Sequence, residues 1–232
     1  MIPFHVVIPA AGAGRRMGAP LPKQYLPLRG ATVLQQTVAR FHGLAGLRSV
    51  TIAVSASDDR FDTLLFPIAV RRVEGGEERC HSVLNALRAL AVEGVAEDAW
   101  VMVHDAARPC VRRQDLLALA EAVAGHPCGG LLAVPVRDTM KRSDERGDVA
   151  RTEPREGLWH ALTPQMFRLG PLRRALEAAL AEGLLVTDEA SAMEHAGHRP
   201  RLVRGHADNL KITLPEDLAL AEFHLARLEE AP

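Results

Sequence analysis

The sequence predicts an α/β fold, a doubly wound and mostly parallel sheet with a protruding β-arm. Three observations predict it. Short apolar, β-branched runs alternate with segments of helical period along most of the chain. The length, 232 residues, suits one large domain with helices on both faces of a sheet. A single polar interruption at residues 137–157, dense in charge and poor in apolar residues, breaks the rhythm.

The elements follow in order. Residues 4–8 form a buried strand that stops at Pro9 and opens into Ala10-Ala11-Gly12-Ala13-Gly14. Residues 32–41 place Val33, Leu34, Thr37, Val38 and Phe41 on one helical face. Strands are predicted at 50–54 and 69–73, then a turn at Glu74-Gly75-Gly76-Glu77. Ser82 is the predicted N-cap of a helix carrying Val83, Leu84, Leu87 and Leu90. A strand at 100–104 leads into Asp105-Ala-Ala-Arg108-Pro109, followed by a helix at 114–124 and a strand at 130–136. Beyond the interruption come helices at 171–182 and 188–196, a strand at 201–203 and a last helix at 215–228. That helix has Pro215 in its first turn with Glu216 and Asp217, as helix N-termini favour. In parallel sheets ligands bind beyond the carboxyl ends of the strands. The loops at 10–17, 75–82 and 105–109 are therefore expected to meet in one crevice.

Composition excludes several classes. A formal charge of −1 argues against a general nucleic-acid binder, so any phosphate site must be built from local charge. Cys80, Cys110 and Cys128 are an odd set without C-x-x-C spacing, which implies neither a disulfide framework nor a zinc site. No apolar run reaches the ~20 residues of a membrane span. The N-terminus lacks the long apolar region of a signal peptide, and the chain is expected to be cytoplasmic.

Small residues in the opening loop let a backbone approach a ligand, and their N–H groups can surround phosphate oxygens. Arg16 and Lys23 bring positive charge to the same place. The spacing Gly12-x-Gly14-x-x-x-Gly18 is one residue too long for the dinucleotide fingerprint, and no Gly-Lys-Ser/Thr of a P-loop is present. Asp105 ends a buried strand, where it is either a turn carboxylate or a ligand for Mg²⁺. Arg108 either pairs with Asp105 or faces a phosphate. Gly75-Gly76-Glu77 with Ser82 is either a base-reading turn or a plain loop. His104, His160, His195 and His206 are scattered without metal-ligand spacing, which favours structural or surface roles. The interruption at 137–157 is either a solvated loop or a hairpin arm that gains its stability on another subunit.

Taken together, these blocks resemble one family. They are Ala10-Ala-Gly-x-Gly-x-Arg16-Met, Pro22-Lys23-Gln24-Tyr, Gly75-Gly76-x-x-Arg79-x-x-Ser82, His104-Asp-Ala-Ala-Arg-Pro109 and Pro135-x-x-Asp-Thr139. Trp159-x-x-x-Thr163-Pro-Gln165, Thr187-Asp-Glu-Ala-Ser191 and Ala207-Asp-Asn-x-Lys211-x-Thr213 continue the series. In this order they resemble the 2-C-methyl-D-erythritol 4-phosphate cytidylyltransferases over essentially the whole chain. The resemblance implies one Rossmann-like nucleotidyltransferase domain spanning 1–232, with a dimerisation arm at 137–157 inserted in it. It implies that Ala10, Ala11, Gly12 and Gly14 line the nucleotide, with Arg16 and Lys23 as the catalytic cations on the triphosphate. Gly76, Glu77 and Ser82 would select cytosine, and Asp105 would lie by the ribose, phosphates and Mg²⁺. Thr139, Arg155, Thr163 and Lys211 would hold the sugar-alcohol phosphate, with Thr187 and Asp188 nearby. The arm would exchange between the subunits of a homodimer, so Thr139 and Arg155 would serve the neighbour's site. Glu77 stands where the family has aspartate as often as glutamate, and residues 143–149 match no family pattern.

The implied reaction joins two polyanions, CTP and a polyol phosphate, with release of diphosphate. The acceptor phosphate is largely ionised near pH 7 (second pKa ~6), so no general base is required. Two rival readings stand beside it. One is a cytidylyltransferase for another polyol phosphate such as ribitol 5-phosphate; the other is a nucleotide-binding regulatory module without turnover.

Overall fold

The structure, a computed structural model, describes residues 2–12 and 21–230. Its elements run β1 (Phe4–Pro9), β2 (Pro27–Leu28), β3 (Ala31–Thr32), α1 (Val33–Ala39), β4 (Leu47–Val54), β5 (Arg71–Glu74), α2 (Arg79–Val92) and β6 (Trp100–Val103). They continue with α3 (Arg113–Val123), β7 (Gly129–Pro135), β8 (Met140–Ser143), β9 (Val149–Glu153), β10 (Trp159–Arg168), α4 (Leu169–Ala181), α5 (Glu189–His195), β11 (Arg201–Arg204) and α6 (Glu216–Glu230).

Seven strands form one sheet in the order β11-β7-β10-β6-β1-β4-β5. β1 pairs in parallel with β4 and β6, β4 with β5, and β7 with β11. β10 alone among them runs antiparallel, wedged between β6 and β7. Burial on both faces follows the period of two that a strand imposes. In β1, Val6 and Ile8 enter one core and Val7 the other; in β6, Trp100 and Met102 enter the first, Val101 and Val103 the second. Leu34 and Val38 of α1 and Leu116, Leu119 and Val123 of α3 cover the first face. Leu84, Leu87 and Leu90 of α2, Leu172 and Leu176 of α4 and Met193 of α5 cover the second. A smaller cluster seats Ala221 and Leu225 of α6 against Leu28, Val33 and Ile212.

The predicted elements recur with shifted ends, and three expectations need correction. β5 begins at Arg71 rather than Ala69. α2 begins at Arg79 with Glu78 in the N-cap position, so Ser82 lies inside the helix and does not cap it. The helix's first backbone bond runs from the Ser82 N–H to Glu78 O at 3.1 Å, and the Ser82 hydroxyl accepts from the Gly76 N–H at 3.1 Å, tying the glycine turn to the helix start. β10 is absent from the sequence reading altogether. Pro164 argues against a central strand, and Thr163 and Gln165 are buried polar residues in its middle. The β7–β10 register is irregular between Ala161 and Gln165, and that irregularity accommodates them.

Residues 137–157 leave the sheet between β7 and β10 as an antiparallel hairpin, with Lys141 opposite Thr152 and Arg142 opposite Arg151. Its tip is closed by Asp144, which accepts from the Arg146 and Asp148 N–H groups, and by Gly147 at φ +89°. The hairpin starts from the carboxyl end of β7, so it projects from the same edge of the sheet as the loops after β1, β5 and β6.

Candidate active site

The first loop is held in place from three directions. The Ala10 N–H donates to Ala53 O on β4 at 2.7 Å, and the buried Gln24 amide donates to Ala10 O at 2.7 Å. Gly75 packs flat against Ala11: a β-carbon there would come within 2.5 Å of the Ala11 Cβ and 2.9 Å of Ser82 Oγ. At Gly76 a β-carbon would lie 2.4 Å from the His81 Cβ. Glycine at 75 and 76 is therefore a matter of close approach.

These loops enclose a cavity of about 390 Å³. Ala10, Ala11, Gly12, Lys23, Gly76, Glu77, Ser82, Asp105 and Lys211 all line it, together with Gln24, Arg79 and Thr213. Gly14 and Arg16 lie outside the described residues. The three loops thus meet as expected, contributing residues 10–12, 76–79 with 82, and 105–107 to the lining. The Lys211 loop joins because the Ile212 N–H donates to Ala107 O at 2.9 Å, while the Ile212 side chain is fully buried under α6. Lys23 Nζ in turn donates to Ile212 O at 3.1 Å.

The floor of the cavity is an ion network centred on Asp105, which is 6 % exposed. Arg79 Nε donates to its Oδ1 at 2.8 Å, Lys211 Nζ lies 2.8 Å from Oδ2, and Arg108 Nε is 3.5 Å from Oδ2. Burial alone would raise the Asp105 pKa; Arg79, Lys211 and Arg108 outweigh it and hold the carboxyl far below the usual range. Arg79 also grips the buried Glu189 through both terminal nitrogens, at 2.6 and 3.1 Å. Burial raises the Glu189 pKa above its ordinary value, a rise that Arg79 only partly offsets; the bidentate contact with the guanidinium is the geometry of an ionised carboxylate.

Behind Asp105 lies a chain of neutral hydrogen bonds. Burial pushes the His104 pKa down to about 4, so its imidazole is neutral at pH 7. Nε2 lies 3.0 Å from Arg108 O, a carbonyl that can only accept, which puts the ring proton on Nε2. Nδ1 then accepts from the Thr163 hydroxyl at 2.9 Å, and Thr163 Oγ1 accepts from the Asp105 N–H at 3.0 Å. Asn209 donates to Thr163 O at 2.7 Å. Thr163 therefore sits beneath the cavity with its hydroxyl engaged, not on the lining.

The remaining expected acceptor residues are apart from this cavity. Asp188 is the N-cap of α5: Oδ1 accepts from Ser191 N at 2.9 Å and Oδ2 from Gln165 Nε2 at 2.8 Å. Thr187 precedes it and is exposed. Thr139 and Arg155 are exposed at the base of the hairpin, where Arg155 donates to Arg137 O. Sequence reasoning assigned no role to Arg79, Glu189, Gln24 or Asn209. The first two were legible as residues of conspicuous motifs, but nothing in their spacing revealed that they pair 110 positions apart. Among the described residues no group of three or more His, Cys, Asp or Glu is placed to hold a metal, and no helix is long and apolar enough to cross a membrane.

A doubly wound sheet that gathers glycine loops and a ring of cations at the carboxyl ends of its strands defines a nucleotidyltransferase. Its family is equally plain: the model for 2-C-methyl-D-erythritol 4-phosphate cytidylyltransferase matches residues 4–227, and the chain belongs to that family. It is 54 % identical over 221 residues to the cytidylyltransferase of this name from Aeromonas hydrophila, covering 94 % of this chain and 88 % of that one. It is 51 % identical over 224 residues to the one from Vibrio vulnificus, covering 95 % and 94 %. A crystal structure of a 4-diphosphocytidyl-2C-methyl-D-erythritol synthase superposes with a TM-score of 0.84 at 38 % identity, covering 97 % of this chain and 99 % of that one. The Francisella tularensis cytidylyltransferase superposes with a TM-score of 0.82 at 35 % identity, covering 96 % and 99 %.

Proposed function

We propose that this crevice performs the family's reaction on this chain's own residues. The enzyme is a CTP-dependent cytidylyltransferase. It transfers CMP from CTP to 2-C-methyl-D-erythritol 4-phosphate, giving 4-diphosphocytidyl-2-C-methyl-D-erythritol and diphosphate on the non-mevalonate route to isoprenoid precursors. One observation carries the assignment of roles: Lys23, Lys211 and Arg79 line the same cavity as the Ala10–Gly12 and Gly75–Ser82 loops.

In this reading the backbone of Ala10, Ala11 and Gly12, continued by Gly14, surrounds the triphosphate, with Lys23 and Arg16 as its cations. Gly76, Glu77 and Ser82 face the cytosine. An acceptor phosphate oxygen attacks the α-phosphorus, the bond to the bridging oxygen breaks, and diphosphate leaves with its electrons. Catalysis is positioning plus charge on the five-coordinate phosphorus. Lys211 meets the acceptor phosphate from its place beside Asp105. Thr163 acts one step back, by fixing the Asp105 backbone, and Asp188 by capping α5. Thr139 and Arg155 reach the acceptor of a partner subunit, with the hairpin as the dimer arm of a single nucleotidyltransferase domain. We take the enzyme to act in the cytoplasm, its three buried cysteines reduced.

Mg²⁺ fits these residues as an ion held chiefly by the nucleotide phosphates. Asp105 supplies one ionised carboxylate, and a carboxylate has lone pairs beyond the two nearest cations. When bound, the ion neutralises phosphate charge. The deciding experiment is diphosphate release from CTP with Mg²⁺ and a panel of polyol phosphates. Turnover with 2-C-methyl-D-erythritol 4-phosphate is expected. Release with ribitol 5-phosphate alone, or CTP binding without release, would replace this reading by one of its rivals.

A further inference from the structure

Glu189 is 1 % exposed and takes no part in the reaction as described. It stands in the first turn of α5, and that turn is clamped to β10 at two points. Gln165 Oε1 accepts from the Ala190 N–H at 2.7 Å, and Gln165 Nε2 donates to Asp188 at 2.8 Å. From this fixed base both Glu189 oxygens meet Arg79 at 2.6 and 3.1 Å, and Arg79 Nε meets Asp105 at 2.8 Å. A buried ion pair adds little net stability over apolar residues of the same shape. A bidentate fork does fix the direction of a guanidinium.

We propose that Glu189 is a positioning residue for the transfer reaction. By gripping Arg79 from below, it keeps that guanidinium on Asp105 and away from the phosphates. Arg79 reaches the cavity wall, so its orientation matters to whatever binds there. Asp105 then stays in place, with Lys211 on its other oxygen as the cation available to the incoming acceptor. The proposal rests on the reading of this crevice as the reaction site.

The physical consequence is a split between binding and turnover. Without the Glu189 charge, the local potential under a polyanion site becomes more positive, and Arg79 has a single carboxylate partner left. Its freed N–H groups turn to a phosphate, which strengthens ground-state binding of CTP. Asp105 meanwhile loses its fixed geometry, and binding that is uniform or misdirected does nothing for the chemical step. A role confined to docking α5 would do the reverse, loosening the cavity and weakening CTP.

The test is Glu189→Gln in the full chain, scored against wild type for kcat in diphosphate release and for CTP dissociation constant by calorimetry. The expected result is a kcat lower by about tenfold or more with CTP bound as tightly as in wild type or more tightly. A smaller fall in kcat, or weaker CTP binding, overturns the proposal. Should that variant not fold, Arg79→Gln is compared with Arg79→Gln/Glu189→Gln. With Arg79 gone, Glu189 has nothing to position, so the two should agree in kcat within about twofold; a larger gap overturns it. Wild-type turnover in the same assay judges the underlying reading separately, because absence of release by wild type would fail that reading before any variant is scored.

Discussion

In the crevice, Asp105 holds Arg79 and Lys211 at 2.8 Å each, and its side chain is 8 % exposed. On the hairpin, Glu153 meets Arg142 and Arg151, whose side chains are 61 % and 64 % exposed. The chemistry of the pairs is the same and their surroundings differ. Low dielectric makes each crevice contact strong and leaves an unmatched charge costly, so the groups lock together. Water around the hairpin screens its pairs to near nothing. The hairpin also exposes Val149, and Leu158 just beyond its base is exposed as well, with no apolar layer of the hairpin to cover them. The buried network is thus locked within one chain, whereas the hairpin's pairs and its exposed Val149 lie in water.

That contrast can be broken or sharpened by measurement. The largest effect is expected at Lys23: Lys23→Ala should lower kcat by about 10²–10³, the size of a lost oxyanion donor, with the far-ultraviolet circular dichroism unchanged. Turnover near wild type would remove Lys23 from the reaction centre.

Next comes pH. The folded pKa of His104, about 4, lies below the ordinary 6.5. As pH falls from 6.5 towards 4 the unfolded chain binds the proton first, so stability is full above 6.5 and declines through this window. At pH 5 the loss amounts to about 2 kcal/mol from this group. Urea midpoints at pH 7 and pH 5 should differ accordingly in wild type and by less in His104→Gln. Equal pH dependence in both proteins would show that His104 is not the buried neutral group.

Ser82→Ala should act more weakly. It removes the acceptor of the Gly76 N–H, worth about 1 kcal/mol, and should raise the KM for CTP by about fivefold with little change in kcat. An unchanged KM would mean that the glycine turn holds its shape without the hydroxyl.

The smallest effect on the single chain is expected on the arm. Arg151→Ala should leave the urea midpoint of unfolding essentially unchanged, because water screens so exposed a pair. Arg155→Ala, in contrast, should raise the KM for the polyol phosphate about tenfold and leave CTP binding intact, as loss of a charged hydrogen bond would. A thermal shift of several degrees in Arg151→Ala would show the arm to be part of the chain's own core.

The strands at β1, β4, β6 and β7 were legible because each is buried on both faces, and an unbroken apolar run reports that directly. β10 was not, because Pro164 breaks the run and the polar Thr163 and Gln165 beside it are buried only with partners from elsewhere in the chain: the Thr163 hydroxyl donates to His104, and the Gln165 amide donates to Asp188 and accepts from the Ala190 N–H. The start of α2 was misread for a similar reason. Ser82 resembles a cap in sequence, and its hydroxyl instead closes the turn at Gly76.

The sequence by itself determined the class of fold, the loops that meet, and the family, since local period, glycine positions and motif order are properties of the chain read along its length. It named Lys23, Asp105 and Lys211 without relating them. Only the tertiary structure decided that Asp105 is a hub gripped from two sides, that Arg79 is tied to Glu189, and that His104 is a neutral link behind Thr163. Those relations join residues 26 to 110 positions apart. They depend on burial, which sets the strength of a charge or a hydrogen bond and which no single position in a sequence records.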